Sequence, residues 1–370
     1  MAGNDGRGVD VSRPAVPVTI VHEEHLGHRT YAANLRTASL ERPDIDAEWV
    51  PVRYGSIPSP VDRLPLPASV RAALAGRREV RRGLRDRPAD VHMFNTQVPA
   101  ALGGGLARSK PYVVITDVTP LQYDRMADGY GHRPDRPGPV RWWKHRVNRR
   151  VFTEATWCVG WSSWAAGSFV DDYGVDPARV AVIPPGVDTD AWRPPAQRRH
   201  TGVRILFVGG EFPRKGGDLL VESLASLPDD VELHLVTKTP VAANDRVRVY
   251  DDLGPNDPRL IELFRTSDVF AIPSRAETFG IAAAEASAMA LPVVASDVGG
   301  FADIVADGET GFIVPHGDGA ALTTALRRLV DDPALRRSMG EAARRRAVER
   351  FDSRTNAARL FDLAHSCAPA

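Results

Sequence analysis

The sequence predicts an α/β protein built of two doubly wound domains that face a central cleft. The chain has 370 residues, more than a single hydrophobic core usually serves. Short runs of β-branched residues alternate with helical patterns almost from end to end, as expected for parallel sheets built of βαβ units. A segment rich in proline and arginine, residues 193–201, interrupts the alternation near the middle of the chain.

The composition is that of an ordinary globular protein. Hydrophobic residues make up 43% and charged residues 25%, which excludes wholesale disorder. The net charge is zero, but residues 1–150 carry 24 basic and 16 acidic side chains, whereas residues 151–370 carry 23 and 31. The first half should therefore attract an anionic partner, although most such charge lies on solvated faces. We expect no nucleic-acid partner.

The cysteine count and the hydropathy of the sequence predict where in the cell the protein is located. The two cysteines, Cys158 and Cys367, are too few for a disulfide framework or a cysteine-based metal site. The most apolar stretch, Ile281–Ala295, is short and contains Glu285, so no segment is expected to span a membrane. No charged-then-apolar leader opens the chain. We expect a cytoplasmic protein, with a peripheral position at the inner membrane face as the alternative.

The first domain is predicted over residues 1–190, with residues 191–202 as a linker. Short apolar and β-branched runs predict strands at Pro17–Val21, Glu48–Val52, Val91–Phe94, Tyr112–Thr116, Thr156–Gly160 and Val180–Ile183. Helical spacing predicts helices between them at His28–Leu40, Pro67–Arg85, Val98–Ala107, Val140–Glu154 and Ser163–Asp172. Pro184 and Pro185 then end the pattern.

The second domain is predicted over residues 203–351. Its strands are expected at Arg204–Val208, Val231–Val236, Arg246–Tyr250, Val269–Ile272 and Pro292–Ala295. Its helices are expected at Gly216–Leu227, Pro258–Thr266, Phe279–Met289, Gly319–Val330 and Pro333–Arg350, and a last helix follows at Arg354–Ala364. Ligands of open α/β sheets bind outside the carboxyl ends of the strands, so the strand-end loops of both domains should face the cleft.

One turn of the second domain is expected to bind an anionic or hydroxyl-rich ligand. The strand Val269–Ile272 leads into a tight turn, Glu277–Gly280, which opens a helix. The amides of Thr278 through Ile281 lack partners within the helix, and the helix dipole adds partial positive charge there. Both properties favour a phosphate or a polyhydroxyl ligand.

Two carboxylates belong to this turn and its helix. Glu285 follows Glu277 by eight residues, which offsets it around the helix by about 80°. The two side chains could each hold a different hydroxyl pair of one elongated ligand. The alternatives are a helix cap for Glu277 and a solvated charge on the helix face for Glu285.

This pair also carries a resemblance to a known family. Glu277 and Glu285 form an E-x7-E motif that resembles the retaining, family 4 glycosyltransferases (glycosyl transferases group 1) of the GT-B fold. The flanking segments that agree are Val182–Pro194, Ile205–Leu224 and Ala306–Leu322. The resemblance covers residues 155–350 and is weaker over residues 1–150, where the acceptor would bind. It implies two Rossmann-like domains and a C-terminal segment, residues 352–370, that returns to the first domain.

The resemblance implies a nucleotide-sugar donor site at the same turn. In the family the first glutamate contacts the hydroxyls of the donor sugar, a role that falls on Glu277. The second holds the ribose hydroxyls, a role that falls on Glu285. The amides that would meet the pyrophosphate or the sugar are those of Thr278, Phe279, Gly280 and Ile281. The base would meet the backbone around Tyr250.

The loop after the first strand of the second domain departs from the family pattern, G-R-x4-K-G. It reads from Gly209 to Gly216, with Lys215 in register and Gly210 at the arginine position. Arg214 supplies the second cation, or backbone amides replace it; both alternatives remain open. Such cations would stabilise the charge that develops on a departing pyrophosphate. Without the motif, Arg214 and Lys215 would be a basic pair in an exposed loop.

The first domain offers candidates near the acceptor. Asp117 follows the predicted strand Tyr112–Thr116, where many relatives have a histidine, and it could orient an attacking hydroxyl or simply start a turn. Gly27 would let backbone approach the ligand, as the glycine-rich loop does in relatives. His25 and His28 could resemble metal ligands, but the family needs no metal, so we assign them to a loop or to the acceptor site.

Two basic stretches account for the positive charge of residues 1–150. For the second stretch, a functional and a purely structural interpretation both remain open. Arg71–Arg87 carries seven arginines and is interpreted as a solvated helix face. Trp142–Arg150 interleaves aromatic rings with cations. It could lie on an anionic membrane or receive a phosphorylated acceptor, or it could be a helix with a wet arginine face and buried tryptophans.

The resemblance implies a retaining, metal-independent glycosyltransferase without a cofactor. Its donor would be a nucleoside diphosphate sugar, a UDP sugar by family precedent, and its acceptor a hydroxyl of a small molecule, natural product or glycan. Three alternatives compete: a membrane-surface transferase with a lipid-linked acceptor, a GT-B epimerase or phosphorylase, and a non-catalytic nucleotide-sugar binder. We expect a front-face displacement in which the pyrophosphate helps to take the acceptor proton, with domain closure assembling the site.

Overall fold

A computed structural model describes residues 15–24, 26–55, 65–198 and 200–369. Their strands are β1 Val16–Glu23, β2 Ile45–Val52, β3 Val91–Asn95, β4 Tyr112–Thr116, β5 Trp157–Gly160, β6 Val180–Val182, β7 Val203–Val208, β8 Val231–Val236, β9 Val247–Tyr250, β10 Val269–Ile272, β11 Val293–Ser296 and β12 Gly311–Val314. Their helices are α1 Leu26–Ser39, α2 Ala68–Asp86, α3 Gln97–Gly103, α4 Pro120–Arg125, α5 Ala127–Tyr130, α6 Pro139–Glu154, α7 Ser163–Asp171, α8 Gly217–Leu224, α9 Pro258–Thr266, α10 Ile281–Ala288, α11 Phe301–Ile304, α12 Gly319–Asp331, α13 Pro333–Arg350 and α14 Ser353–Ser366.

The strands form two parallel sheets of six strands each, which confirms the predicted fold class. The first sheet has the order β2-β1-β3-β4-β5-β6 and the second the order β12-β11-β10-β7-β8-β9. Every pairing is parallel. The central strands are buried throughout, for example β3 and β4, as expected for parallel strands with helices on both faces.

The last helix belongs structurally to the first sheet. α14 packs against α1, β3 and β4 and buries Leu360 and Phe361. Arg42, in the turn between α1 and β2, contacts α14: its guanidinium donates to the carboxylate of Asp362 at 2.9 Å and to the carbonyl of Ala358 at 3.1 Å. The chain therefore crosses from the first domain to the second and then returns.

The structure corrects several predicted element boundaries. Sequence analysis missed the edge strand β12 and the short helices α4, α5 and α11. α1 begins at Leu26, so Gly27 lies in a first helical turn rather than in a glycine loop. α3 ends at Gly103 because Gly104, with φ 61°, and Gly105 do not favour continuation of the helix. α10 begins only at Ile281, after Gly280.

Candidate functional site

An ion pair joins the two loops of the second domain that sequence analysis selected. Lys215 Nζ lies 2.8 Å from Glu277 Oε2, and the other carboxylate oxygen accepts from the amide of Thr278 at 3.2 Å. Glu277 is buried. Burial alone would raise the pKa of its carboxyl, but the charges of Lys215 and Arg214 outweigh burial and hold this pKa below its ordinary value. Glu277 is therefore a carboxylate at neutral pH.

Arg214 connects this loop to the first domain. Its guanidinium donates to the carbonyl of Ala276 at 2.7 Å and pairs with Glu211. It also lies over the ring of Tyr130, with Cζ 4.5 Å from the ring centroid, a favourable cation–π geometry. Burial and the nearby Glu277 carboxylate raise the pKa of the Tyr130 hydroxyl, which keeps it a hydrogen-bond donor.

Sequence analysis missed Tyr130 as a site residue. It lies at the end of α5, thirteen residues after Asp117, in a segment for which no helix was predicted. The neighbouring Gly129 packs directly against Ala276 of the second domain. One signal in the sequence could have pointed to Tyr130: Tyr123, Gly129 and Tyr130 lie close together after the Asp117 turn. This spacing does not by itself indicate a contact with the second domain.

The two glycines of the Lys215 loop have different surroundings. A Cβ atom on Gly209 would lie 2.5 Å from Lys215 Cδ and 2.9 Å from the ring of Phe207, so only glycine leaves room for the lysine stem. A Cβ atom on Gly210 would meet no atom within 4 Å. The position at which relatives carry an arginine is therefore open space in this chain.

Three of the four amides predicted to be available at the turn before α10 are free among the described residues; the fourth, that of Thr278, donates to Glu277. Within the described part of the chain, the amides of Phe279, Gly280 and Ile281 donate no hydrogen bond. Gly280 adopts φ 94°, and a Cβ there would lie 2.4 Å from the ring of Phe301, so this position requires glycine. The ring of Phe279 packs into the core, so only its backbone is available to a ligand.

Glu285 lies within α10, eight residues after Glu277, and the environments of the two carboxyl groups differ. No hydrogen bond or ion pair to any described residue is recorded for its carboxyl, and the side chain keeps part of its surface exposed. Burial raises its pKa to about 8. Both interpretations of Glu285, as a contact to ribose and as a charge on the helix face, stay predictions.

Tyr250 ends β9 at the carboxyl edge of the second sheet. Its ring stacks on His234 at a centroid distance of 5.8 Å, and its hydroxyl lies 3.1 Å from His234 Nδ1. Among the described residues, no contact joins Tyr250 to Glu277 or Lys215. Its predicted place near the nucleotide base stays a prediction.

Asp117 lies directly after β4 and faces a histidine from α1. The distance from His28 Nε2 to Asp117 Oδ1 is 3.7 Å, and both side chains are largely buried. The other ring nitrogen of His28 is buried without a hydrogen-bond partner. The ring of His28 lies 5.1 Å from that of Trp161. His25 lies outside the described residues.

The two domains contact each other beside the site. The amide and hydroxyl of Ser163, at the start of α7, both donate to Asp303 Oδ2 of α11 at 2.8 Å. Ser162 lies against Gly300 of the second domain. Together with the contact between Arg214 and Tyr130, these interactions join the two domains beside the site.

Two features are absent from the described residues. No helix in that part of the chain has the length and apolar character needed to cross a membrane. Nor do three or more His, Cys, Asp or Glu side chains gather there in a way that could hold a metal ion.

Comparisons with known proteins identify the family. Residues 24–191 match the family model described as Glycosyltransferase Family 4, and residues 202–332 match the one described as Glycosyl transferases group 1. The chain belongs to the family 4 glycosyltransferases. The two matches fall on the first and second sheets respectively, and the second includes Lys215, Glu277 and Glu285.

Two curated relatives are 39% and 34% identical to this chain over the segments that align. The D-inositol 3-phosphate glycosyltransferase of Kineococcus radiotolerans is 39% identical over 216 residues, which cover 48% of this chain and 50% of that protein. The MMP alpha-(1->4)-mannosyltransferase of Mycolicibacterium hassiacum is 34% identical over 260 residues, covering 66% and 63%. The chain thus matches half to two thirds of the length of these curated relatives.

Solved structures of GT-B proteins are similar over nearly the whole chain. Sucrose-phosphate synthase from Thermosynechococcus elongatus has a TM-score of 0.77 at 19% identity, covering 95% of this chain and 99% of that one. Anabaena HepE in complex with UDP and glucose has a TM-score of 0.66 at 18% identity, covering 95% and 100%. At this level of identity the likeness establishes the GT-B fold alone.

The raised pKa of Glu285 predicts a pH-dependent cost in stability. Between the ordinary pKa of 4.5 and about 8, the folded protein holds a proton that the unfolded chain releases, so stability falls as pH rises through this interval. In Glu285→Gln this loss is absent. Relative to the parent, the variant should melt at a similar temperature at pH 5 and about 2–4 °C higher above pH 8. The full pKa shift would be worth about 5 kcal/mol, but solvent screening of the partly exposed side chain reduces this to about 1 kcal/mol.

Differential scanning fluorimetry across this pH range measures the difference. The matched control is Glu262→Gln, which changes an exposed glutamate of α9 and should give no pH-dependent difference. A melting-temperature difference for Glu285→Gln that stays constant from pH 5 to pH 9 would contradict the prediction.

Proposed function

We propose that the protein is a retaining glycosyltransferase that transfers a sugar from a nucleoside diphosphate sugar, a UDP sugar, to an acceptor hydroxyl. The observation that carries the proposal is the buried pair of Lys215 and Glu277 at the turn before α10, where the two charges lie 2.8 Å apart. Next to this pair the free amides of Phe279, Gly280 and Ile281 give a favourable site for phosphate.

When the donor binds, Lys215 and Glu277 exchange their contact with each other for contacts with the ligand. Lys215 Nζ, held in place by Glu277, is available to a phosphate oxygen, and Glu277 then accepts from hydroxyls of the sugar. Glu285 is unpaired among the described residues and accepts from the ribose hydroxyls, which favours its ionised form. The complex of HepE with UDP and glucose supports a uridine nucleotide as the donor.

The same groups stabilise the transition state. As the bond from the anomeric carbon to the pyrophosphate oxygen lengthens, negative charge grows on the pyrophosphate, and fixed cations and amides in a closed site stabilise it. Lys215 and Arg214 supply this charge without a metal ion. The contacts of Ser163 with Asp303 and of Arg214 with Tyr130 keep the two domains together and limit access of water.

The acceptor enters from the first domain. Asp117 orients the attacking hydroxyl, with His28 as its neighbour, and the departing pyrophosphate helps to take the proton on the same face of the sugar. This front-face route gives retention of the anomeric configuration. The relatives are named for transfer to an inositol phosphate and for mannosyl transfer, which favours a small hydroxyl-rich acceptor.

Replacement of Glu277 by glutamine tests the proposal. Glu277→Gln should lower turnover with a UDP sugar by about 10²–10³-fold, because the uncharged amide loses the anchor for the sugar and for Lys215. Affinity for UDP, which lacks the sugar, should stay equal or increase, because Lys215 is released toward the phosphates. Turnover is measured by UDP release and affinity by calorimetry.

The control for this experiment is Glu262→Gln, on the surface of α9, which should leave both quantities unchanged. Full turnover in Glu277→Gln would remove this residue from the site. UDP-sugar consumption that does not depend on an added acceptor would instead favour an epimerase or phosphorylase, and an inverted product anomer in the NMR spectrum would exclude retention.

The open space at Gly210 gives a second prediction. Because a side chain there meets no neighbouring atom, Gly210→Arg should fold normally and place a guanidinium at the family's arginine position. Affinity for UDP should rise about tenfold or more, since a further charged hydrogen bond to phosphate is worth about 1.5 kcal/mol or more.

Calorimetry of UDP binding measures this change. The matched control is Gly209→Arg, which should lower the melting temperature because its stem overlaps Lys215 and Phe207. Unchanged or weaker UDP binding by a folded Gly210→Arg would show that the pyrophosphate does not lie beside this loop.

A further inference from the structure

Most large apolar side chains that the structure leaves exposed lie on three helices of the first domain. They are Val70 on α2, Val98 on α3, and Val140, Trp142 and Trp143 on α6. Trp142 and Trp143 are 64% and 59% exposed. The alternative of a helix with buried tryptophans is therefore wrong. We call these five residues the tryptophan surface.

The three helices are neighbours, since α2 packs against α3 and α3 against α6. Their exposed residues also lie at the same end. α6 ends beside the start of β4, where Tyr112 donates to the carbonyl of Val151 at 2.8 Å, so α6 begins at the carboxyl edge of the sheet. Its 16 residues span about 24 Å, more than the strands it covers.

α2 and α3 place their residues at the same edge. α3 starts directly after β3, which puts Val98 at the carboxyl end of that strand. In α2, Gly83 lies against Val50 and Gly76 lies against Tyr54, beyond the end of β2, so Val70 extends still further in that direction. The tryptophan surface therefore borders the cleft edge of the first domain.

Cations surround these apolar side chains. α6 carries five basic residues, all exposed, namely Arg141, Lys144, Arg146, Arg149 and Arg150. Its acidic residue, Glu154, lies at the far end and pairs with Arg150. α2 adds the exposed arginines Arg71 and Arg77 in the half of the helix that contains Val70; Arg82 and Arg85 lie toward its other end. Every residue from 136 to 144 is exposed, so no described part of the chain covers the start of α6.

We propose that the tryptophan surface and its cations dock the protein on an anionic lipid bilayer. Tryptophan is suited to this role because its ring is apolar and its indole N–H can remain in the headgroup region. Exposed basic side chains beside apolar ones are the combination that binds anionic membrane surfaces. A second copy of the chain fits poorly, because self-association would bring two sets of like charges together.

The docked orientation has a consequence for the site. The surface lies at the edge of the first domain to which Asp117 and the cleft also belong, so docking holds the mouth of the cleft near the headgroups. The proposal does not depend on the donor chemistry, since the surface contains none of the residues assigned to donor or acceptor. Membrane binding can therefore be tested separately from sugar transfer.

Vesicle co-sedimentation of the full chain tests the proposal. Vesicles of phosphatidylcholine alone are compared with vesicles of equal parts phosphatidylcholine and phosphatidylglycerol, at low and high salt. The parent should bind the mixed vesicles, release at high salt, and bind phosphatidylcholine weakly. The double variant Trp142→Ala/Trp143→Ala should lower partitioning about tenfold or more, from loss of the two interfacial rings.

The controls separate docking from a general loss of structure. Leu40→Ala removes the most exposed apolar side chain outside the surface and should bind as the parent does. Arg141→Gln/Arg146→Gln/Arg149→Gln keeps the tryptophans and should lose the salt-sensitive part of binding. All variants should keep the parent's melting temperature and UDP affinity.

Three results would overturn the proposal. They are equal sedimentation with and without phosphatidylglycerol, unchanged partitioning of the double tryptophan variant, and a dimer in light scattering that the same variant abolishes. The last result would assign the surface to self-association. Parent binding that is lost in both variant sets, with Leu40→Ala unaffected, supports membrane docking.

Discussion

The site depends on how a carboxylate is kept charged inside the protein. Glu277 is buried, and an unpaired carboxylate there would take up a proton rather than remain ionised. Lys215 and the amide of Thr278 satisfy it, and this requirement fixes the loop after β7 against the turn before α10. Glu285 is the opposite case, because it lacks such a partner among the described residues and holds its proton to a higher pH. The turn and the helix that follows it thus present two carboxyl groups in different states.

Contacts between the two domains begin at the same loops. Arg214, next to Lys215, places its guanidinium on the ring of Tyr130, while Asp303 accepts two hydrogen bonds from Ser163 across the interface. The residues that position the donor loop therefore also contact the acceptor domain. A donor that draws Lys215 toward its phosphates would alter the charges next to Arg214, which links donor binding to the packing of the two domains.

Local patterns in the sequence were sufficient for much of the fold and for part of the site. All eleven predicted strands exist because buried β-branched runs are distinctive, whereas β12 follows a glycine-rich turn and its run is short. Glu277 was predicted from the turn that opens a helix and Lys215 from the resemblance to the family pattern, and the structure brings them together. Tyr130 could not be predicted, because its role arises from a contact between domains. Helical spacing could not decide whether Trp142 and Trp143 are buried, since only tertiary packing determines which face is covered.

The return of α14 to the first sheet limits how the protein can be dissected. Leu360 and Phe361 belong to the core beneath α1, and Arg42 fastens the helix from the other side. The segment that returns to the first domain lies beside the segment that leaves it, since the amide of Val187 donates to the carbonyl of Phe351 at 2.7 Å. An isolated amino-terminal fragment cut at the linker would expose an apolar groove. Autonomous production of that half would therefore require α14 to be supplied as a separate peptide or grafted by circular permutation.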